Sequence, residues 1–321
     1  MRIGGAAFHQ SMHMDDDQLS SPVMECPFCS SLQRKEISIL QKNPRVLLLK
    51  CLKCHAYSAS RIPTQKALKD YYSNYYDSST ASNSGYRVTV DDLNRFGSYL
   101  AGKLNQYLDK KYIKILDFGG GDGSLSSWTA KYLLKMGMVK RVKIVVADYH
   151  EKVISTRDER ISVDKADRLE NIQSAYDIVI ASAIIEHLPR PGHVIDQLLN
   201  LLDMGGILYA RTPYVVPLIK LFGLFGIKWD FTYPAHLHDL GQKFWESYFS
   251  SRKYPDYFIE ITESKPSIIE TTLKEHFIKT LAAYIFKAPW YLLNQRYKLV
   301  GGWEVFLRKA PIFSKTEDYH N

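Results

Sequence analysis

The sequence contains no apolar run long enough to cross a membrane. A spanning helix needs roughly 20 consecutive apolar residues. The most apolar stretch, 215–229 (VVPLIKLFGLFGIKW), is shorter and is interrupted by one proline, two glycines and two lysines. Residues 1–21 lack the apolar centre of a secretion signal and carry three consecutive aspartates. We therefore expect a cytoplasmic protein without a transmembrane segment.

Cysteine is scarce, and its few positions are regularly spaced. The chain has four cysteines, arranged as two CxxC pairs: Cys26, Cys29, Cys51 and Cys54. This is too few for the disulfide framework of a secreted protein, whereas four thiolates suit tetrahedral Zn²⁺ in a reducing compartment. Because four protein ligands leave no open position on the ion, the pattern predicts a structural zinc ribbon.

Dense runs of one charge are also missing. Lys and Arg exceed Asp and Glu by 42 to 34, which gives a net charge of +8 at neutral pH. A basic balance can indicate nucleic acid, an anionic membrane surface or an acidic substrate. Because the excess is spread along the chain, it is also compatible with an ordinary soluble enzyme.

The chain divides into five parts. We predict a disordered leader at 1–22, the zinc ribbon at 23–60, a connector with a short helix and a loop at 61–92, the main domain at 93–310 and a tail at 311–321. Short apolar strands alternate with helices in the main domain, which is typical of a parallel sheet covered on both faces. The fold class is therefore α/β: a doubly wound, seven-stranded, mostly parallel sheet with an antiparallel edge strand, preceded by the ribbon.

A glycine-rich turn follows the first strand of the main domain, in ILDFGGGDGSL. The strand ends at Asp117, and the backbone is then almost bare at Gly119, Gly121 and Gly123. Glycine permits positive φ and close approach of a ligand, and the helix that follows presents unpaired N–H groups to an anion. A dinucleotide fingerprint would need a glycine at position 124, which is serine here. Asp148 ends the next strand, where a carboxylate can bind a ribose diol.

Four motifs then resemble one family. DFGGGDGSL, VVADYH, YDIVIASAIIEHLPRP and LLDMGGILYARTP are similar, in order and spacing, to those of class I S-adenosylmethionine-dependent methyltransferases, which have a Rossmann-like fold. The resemblance covers roughly residues 93–310. TYPAHLHDLGQKFWESYF resembles a segment of the subgroup that includes many bacterial small-molecule and glycan methyltransferases.

The resemblance implies roles for the cofactor-binding residues. The three glycines would pass under the methionine part of S-adenosylmethionine, with Asp117 near its amino group and Asp148 on the ribose hydroxyls. Ala183 and Ile184, after the fourth strand, would border the cofactor. Asp164 and Asp167 both fit the acid that contacts adenine, and Asp167 is favoured.

Three histidines are candidates for catalysis: His187, His236 and His238. A base is needed only if the methyl acceptor arrives protonated, as a hydroxyl does, and imidazole titrates near neutral pH. Glu186 and His187 could instead organise their loop. A catalytic metal held by this pair and a second histidine is a further alternative, although related metal-dependent enzymes carry a glutamate where this chain has Ala183.

The sequence thus predicts an S-adenosylmethionine-dependent methyltransferase (EC 2.1.1.-) acting on a small-molecule or glycan acceptor at oxygen. One alternative is an RNA methyltransferase that grips its acceptor with the ribbon, whose basic residues are Lys35, Lys42, Arg45, Lys50 and Lys53. Another is a non-catalytic cofactor-binding partner subunit. Aromatic residues are frequent between the fifth strand and the HLH motif, which is His236-Leu237-His238. This stretch could line a substrate pocket, contact a membrane peripherally or pack within the protein core. The acceptor atom and the oligomeric state stay open.

Overall fold

The computed structural model describes residues 11–71, 92–149, 153–173, 175–227, 230–269, 271–293 and 296–312. In these ranges the chain forms two sheets, one of seven strands and one of four. The second half of the predicted connector and most of the predicted tail lie outside the described residues.

The strands are β1 Arg34–Gln41, β2 Val46–Cys51, β3 Tyr57–Ala59, β4 Tyr112–Phe118, β5 Arg141–Ala147, β6 Ile161–Ala166, β7 Tyr176–Ser182, β8 Leu202–Tyr214, β9 His238–Asp239, β10 Tyr257–Pro266 and β11 Gly301–Pro311. The helices are α1 (65–71 in the described part), α2 Leu93–Leu104, α3 Ser124–Met136, α4 Pro191–Leu201, α5 Val216–Leu224, α6 Gln242–Ser250 and α7 Phe277–Leu293. None of the helices in these described ranges is both long and apolar enough to span a membrane.

The seven-stranded sheet has the order β10-β11-β8-β7-β4-β5-β6. Strands β4 to β8 pair in parallel, whereas β11 runs antiparallel to both β8 and β10. The predicted α/β fold with a mostly parallel, seven-stranded sheet is therefore confirmed, as is the antiparallel edge. The reversed strand itself lies one position in from that edge, between β8 and β10.

Strand β4 shows why the central strands read as continuous apolar runs. Ile113 and Ile115 are buried on the face covered by α2 and α3, while Leu116 is buried on the opposite face with α4 and α6. A parallel strand covered on both faces needs apolar residues on both sides of its pleat. The apolar run stops at the buried acid Asp117, one residue before the strand ends at Phe118, at the carboxyl edge of the sheet.

Helix positions agree with the sequence best where glycine marks the ends. Helix α3 spans the predicted Ser124–Met136, between Gly123 and Gly137, both of which have positive φ. Two further segments have a helical pattern in the sequence, a weak one at 151–158 and a long one from residue 269. Residues 153–158 are not helical, so the first prediction is wrong for them. The second helix begins only at Phe277.

The four-stranded sheet has the order β1-β2-β3-β9, so its last strand comes from the HLH motif far along the chain. Tyr57 pairs with Asp239, and Ser58 pairs with His238, in an antiparallel register. The cysteine module also packs into the main core through Phe28, whose ring contacts Phe244 at a centroid distance of 4.7 Å. The ribbon is thus built into the main domain.

Residues 11–22 are folded, so the prediction of a disordered leader is wrong for them. Met14 and Leu19 are buried in a cluster with residues of the ribbon and of the segment after α5. The side-chain amide of Gln41 accepts from the Met14 N–H at 2.9 Å and donates to the Met14 carbonyl at 2.8 Å. The two buried side chains and this pair of hydrogen bonds fix the position of the segment. Residues 1–10 lie outside the described part.

Candidate functional site

The glycine loop lies at the carboxyl ends of β4 and β5. Gly119, Gly121 and Gly123 all have positive φ, at 70°, 61° and 82°. A Cβ on Gly119 would lie 2.5 Å from Ile184 Cγ1, and one on Gly123 would lie 2.7 Å from Val146 Cγ2. Both the dihedral angles and the space therefore require glycine.

Asp148 follows β5 and reaches the same loop. Its Oδ2 accepts a hydrogen bond from the Gly121 N–H at 2.8 Å. This contact joins two residues that the sequence predicted as cofactor ligands from separate strands. It also orients the Asp148 carboxylate at the edge where the glycine loop turns into α3.

Asp117 is buried directly beneath the loop. A Cβ on Gly120 would lie within 2.4 Å of both Asp117 carboxylate oxygens, so the loop passes immediately over this group. Asp117 Oδ2 meets no hydrogen-bond partner among the residues that the structure describes. Burial raises the pKa of Asp117 to about 6, and the negative field of Asp148 adds to the shift. A buried carboxylate oxygen at a loop of bare backbone fits the ammonium group of an amino-acid ligand.

Ala183 and Ile184 form the opposite wall. Ala183 has a φ of 57°, which is uncommon for a residue with a side chain and marks a constrained site. Its N–H donates to the Arg211 carbonyl at 2.9 Å. Ile184 then packs over Gly119, so one of the two residues predicted to border the cofactor lies against the glycine loop.

Asp164 and Asp167 are the two candidates for the acid that contacts adenine. Only Asp167 lies at the carboxyl edge of the sheet, where the glycine loop is. Asp167 comes directly after the carboxyl end of β6, is exposed, and pairs with Lys165 at 3.0 Å. Asp164 lies within β6 and pairs with Lys143, also at 3.0 Å. The position favours Asp167 over Asp164.

The acceptor side is built from the turn after β7 and the HLH segment. His187 lies in the short helix Ile185–His187. Its Nδ1 lies 2.7 Å from the Ala235 carbonyl. Because a carbonyl oxygen only accepts, Nδ1 carries the proton and Nε2 is the basic nitrogen. Nε2 lies 3.8 Å from Oε1 of the buried Glu186.

His236 faces His187, with a centroid distance of 5.0 Å between the rings. Its Nδ1 lies 2.6 Å from the Thr232 hydroxyl, which itself donates to the Phe231 carbonyl. His236 Nδ1 is therefore the donor, and its Nε2 is also basic. Ligand atoms of Glu186, His187 and His236 lie within 4.8 Å of one another. The arrangement can bind a proton or a cation.

The catalytic role of His238 stays a prediction, and the surroundings of this residue favour a structural role instead. The side chain is fully buried, and both ring nitrogens are hydrogen-bonded, Nδ1 to Ser58 Oγ at 3.0 Å and Nε2 to the Leu188 carbonyl at 2.8 Å. Burial lowers the pKa of His238 to about 3. The spacing of two residues places His236 and His238 on different sides of the segment, because the strand β9 begins only at His238.

Asp239 is a structural residue that the sequence did not reveal. It is buried and accepts hydrogen bonds from the N–H groups of Val215 and Val216 at 2.6 and 3.1 Å, at the start of α5. Burial raises the pKa of Asp239 to about 7, against these hydrogen bonds. No local pattern marks it, since its partners are distant in sequence.

The four cysteine sulfur atoms converge in the ribbon. Cys26 and Cys54 are 3.5 Å apart, Cys29 and Cys51 are 3.6 Å apart, and all four lie within 4.8 Å of one another. No disulfide joins them. Tetrahedral zinc with bonds of about 2.3 Å would separate its sulfur ligands by about 3.8 Å. The cluster therefore fits the ion that the spacing predicts.

Comparisons with known proteins address the main domain. Residues 116–208 match the family described as a methyltransferase domain. That range runs from β4 into β8, and it includes the glycine loop, Asp148 and the Glu186–His187 pair. The resemblance to S-adenosylmethionine-dependent methyltransferases is thereby confirmed. A comparison with curated proteins finds no match.

Three solved structures illustrate the likeness of fold. The plantazolicin methyltransferase BpumL in complex with SAH is 14% identical, with a TM-score of 0.44, over 77% of this chain and 91% of that one. The 4+2 cyclase SpnF is 15% identical, with a TM-score of 0.41, over 67% and 81%. Coclaurine N-methyltransferase bound to N-methylheliamine and SAH is 12% identical, with a TM-score of 0.39, over 67% and 70%.

Proposed function

We propose that this chain, whose residues 116–208 carry a methyltransferase domain, transfers a methyl group from S-adenosylmethionine to a hydroxyl of a small-molecule or glycan acceptor. One observation carries the proposal. Ile184 packs on the glycine loop, and the turn that holds His187 begins at the very next residue. The cofactor wall and a histidine with a basic Nε2 are therefore adjacent.

The cofactor would lie across the tips of β4 and β5. Asp117 would accept its ammonium group, since the buried Oδ2 of that carboxylate has no hydrogen-bond partner among the described residues. Asp148 would bind the ribose hydroxyls, and Asp167 the adenine amino group. Gly119, Gly121 and Gly123 would let the loop adopt the positive φ angles that bring its backbone close to the amino-acid tail.

Methyl transfer depends mainly on the alignment of the acceptor oxygen with the methyl group and its sulfur. When bound, S-adenosylmethionine supplies a methyl group on a positively charged sulfur, which leaves as a neutral thioether. The chain's own residues must hold the acceptor oxygen in line and exclude water. His187 Nε2 would accept the proton that the acceptor hydroxyl loses on methylation. His236 and Glu186 would position that imidazole and stabilise its charge.

The cysteines would hold Zn²⁺ as a structural ion. A ribbon of this size has little core of its own, so metal binding supplies much of its stability. The ribbon in turn supports the acceptor side, because β3 pairs with β9 and Ser58 contacts His238. Thiolates need a reducing compartment to stay reduced, so we place the chain in the cytoplasm.

Calorimetry with S-adenosylmethionine tests the binding half of the proposal. The transfer half is tested by incubating the protein with methyl-labelled cofactor and separated small-molecule, glycan and RNA fractions. We expect label in a small-molecule or glycan fraction, bound as a methyl ether that is stable to base. Label confined to RNA would instead establish the RNA alternative, and cofactor binding without any transfer would establish a partner subunit.

A variant then tests the base. His187→Ala should reduce turnover at saturating cofactor by about 100-fold or more, the lower end of general-base catalysis. Cofactor affinity should be unchanged. His193→Ala, an exposed histidine on α4, is the matched control and should leave both quantities unchanged. Equal turnover in the His187 and His193 variants would exclude His187 as the base.

A further inference from the structure

Helix α7 is apolar on the side that faces solvent. Ile278, Ile285 and Leu292 follow one another at intervals of seven and are 81%, 61% and 88% exposed. A repeat of seven places side chains on one face of a helix. Leu281 is also exposed on this face, and Thr280 is the one buried residue among the described residues of the helix.

Helix α5 extends the same surface. Phe222 of α5 contacts Phe286 of α7, with ring centroids 6.0 Å apart, so the two helices are neighbours. At the end of α5, Leu224 and Phe225 are 82% and 72% exposed. Contiguous exposed apolar side chains on this scale mark an interaction surface. We refer to the exposed faces of α5 and α7 together as the apolar helix pair.

The charge on the apolar helix pair is of one sign. Val216–Leu224 and Phe277–Leu293 contain no aspartate or glutamate, and Lys220 and Lys279 are exposed. The third lysine, Lys287, is half-buried and donates to the Ser267 carbonyl at 2.5 Å. Exposed tyrosines flank the apolar stripe at Tyr284 and Tyr291. Tyrosine combines an apolar ring with a polar tip and is enriched where a protein meets the lipid–water boundary.

More lysines gather beside the apolar helix pair. Lys220 and Lys50 each hold Nζ 5.7 Å from the centroid of the Tyr57 ring. Lys243 and Lys298, the latter shortly after α7, line one small cavity with Glu246. Two pairs of lysines from different elements therefore lie close together, where an anion would stabilise them.

We propose that the apolar helix pair docks on an anionic lipid bilayer. Ile278, Ile285 and Leu292 enter the boundary between headgroups and acyl chains, and the lysines meet lipid phosphates. A second copy of this chain fits the same surface poorly. A two-fold symmetric contact would bring the apolar faces together but would also set the lysine groups of the two copies near each other.

Vesicle flotation of the full chain tests the proposal. The probes are vesicles of phosphatidylcholine alone and of an equimolar mixture of phosphatidylcholine and phosphatidylglycerol. We expect the protein to float with the mixed vesicles at low salt, to bind phosphatidylcholine alone much less, and to dissociate as salt rises. Absence of binding to the mixed vesicles at low salt would overturn the proposal.

Variants locate the contact. Ile285→Glu with Leu292→Glu should reduce partitioning onto mixed vesicles by more than about tenfold, because two apolar contacts become repulsive charges. Lys220→Ala should reduce it by about fivefold, the loss for one basic residue near an anionic surface. Controls of the same type elsewhere are Met138→Glu, on an exposed loop after α3, and Lys140→Ala, and both should bind like the wild type.

Two outcomes would contradict this assignment. Full vesicle binding by the Ile285→Glu, Leu292→Glu double variant would show that another surface is responsible. A dimer in sedimentation that the same variant dissociates, without vesicle binding by the wild type, would show that a second copy covers the surface. Cofactor calorimetry on each variant verifies that it is folded, and this readout does not depend on membrane contact.

Discussion

His238 joins the ribbon to the loop that holds His187. It contacts Ser58 in β3 through Nδ1 at 3.0 Å and the Leu188 carbonyl through Nε2 at 2.8 Å. The residue next to Leu188 is His187, and the residue two before His238 is His236. A buried imidazole therefore fixes the positions of both candidate catalytic histidines without reaching the acceptor.

The titration of His238 should make stability depend on pH. Its pKa falls from 6.5 to about 3 on burial, so below pH 6.5 the unfolded chain binds a proton that the folded chain excludes. Its contribution to the free energy of unfolding should then decrease as the pH falls from about 6.5 to 3, by up to about 1.4 kcal/mol per pH unit. Chemical unfolding of the wild type and of His238→Gln across this range measures the effect.

The difference between the two proteins is the informative quantity. Asp117 and Asp239 have raised pKa values, so they oppose His238 by stabilising the fold as the pH falls below about 6 and about 7. Both acids are present in the wild type and in the variant and cancel in the difference. Parallel pH curves for the two proteins would exclude this role for His238.

Removal of zinc should uncouple binding from transfer. We expect the Cys51→Ser variant to lose the metal and to weaken the pairing of β3 with β9. The glycine loop, which lies at the ends of β4 and β5, should still bind the cofactor. Metal analysis, calorimetry and hydrogen exchange at residues 235–240 follow the three effects separately. Full zinc content in the variant would contradict the four-thiolate site, and unchanged exchange at 235–240 would contradict the coupling.

Two glycines with similar dihedral angles separate strain from close approach. Gly119 and Gly137 have φ values of 70° and 92°. A Cβ on Gly119 would lie 2.5 Å from Ile184, whereas a Cβ on Gly137 would have no neighbour within 4 Å among the described residues. Both alanine variants should cost about 1–2 kcal/mol of stability for the left-handed backbone. Gly119→Ala should also weaken cofactor binding in calorimetry, whereas Gly137→Ala should not.

Asp148→Ala should weaken cofactor binding by about 1–3 kcal/mol, the range for a buried polar partner left unsatisfied. The variant loses both the proposed ribose contact and the hydrogen bond to the Gly121 N–H. Asp164→Ala, which removes an exposed carboxylate paired with Lys143, is the control and should bind normally. Equal affinities in calorimetry would remove Asp148 from the site.

Cofactor affinity should itself depend on pH through Asp117. With a pKa raised to about 6 by burial, this carboxyl is charged at pH 7 and increasingly neutral below 6. Its attraction for an ammonium group should therefore weaken as the pH falls below 6, by up to about tenfold in affinity per pH unit. Asp117→Asn should bind more weakly at pH 7 and lose this dependence. Calorimetry between pH 5 and 8 measures both proteins.

Local patterns in the sequence predict the main sheet and the cofactor loop. Strand β4 has buried apolar residues on both faces and an acid just before its end, and α3 is bounded by glycines, so both can be located from neighbouring residues alone. The convergence of Asp117, Asp148 and Gly119 follows from the rule that the carboxyl ends of parallel strands meet at one edge.

Long-range contacts account for what the sequence did not predict. His238 resembles His236 in its local context, and only pairing with Tyr57–Ala59 decides that it is buried. Likewise, the sequence around Met14 predicts a polar leader, and only the two hydrogen bonds from the Gln41 side chain to the Met14 backbone show that this residue is fixed. In both cases the deciding partner is far away in sequence, and no periodic signal identifies it.

The place of β9 in the ribbon sheet has a consequence for how the chain is made. Residues 57–59 leave the ribosome long before residues 238 and 239, so β3 emerges with one edge unpaired. The amino-terminal module cannot reach its final structure until most of the catalytic domain has been synthesised, and metal uptake alone does not close that edge. Truncation before residue 238 would therefore leave the second edge of β3 unpaired and open to pairing with another chain.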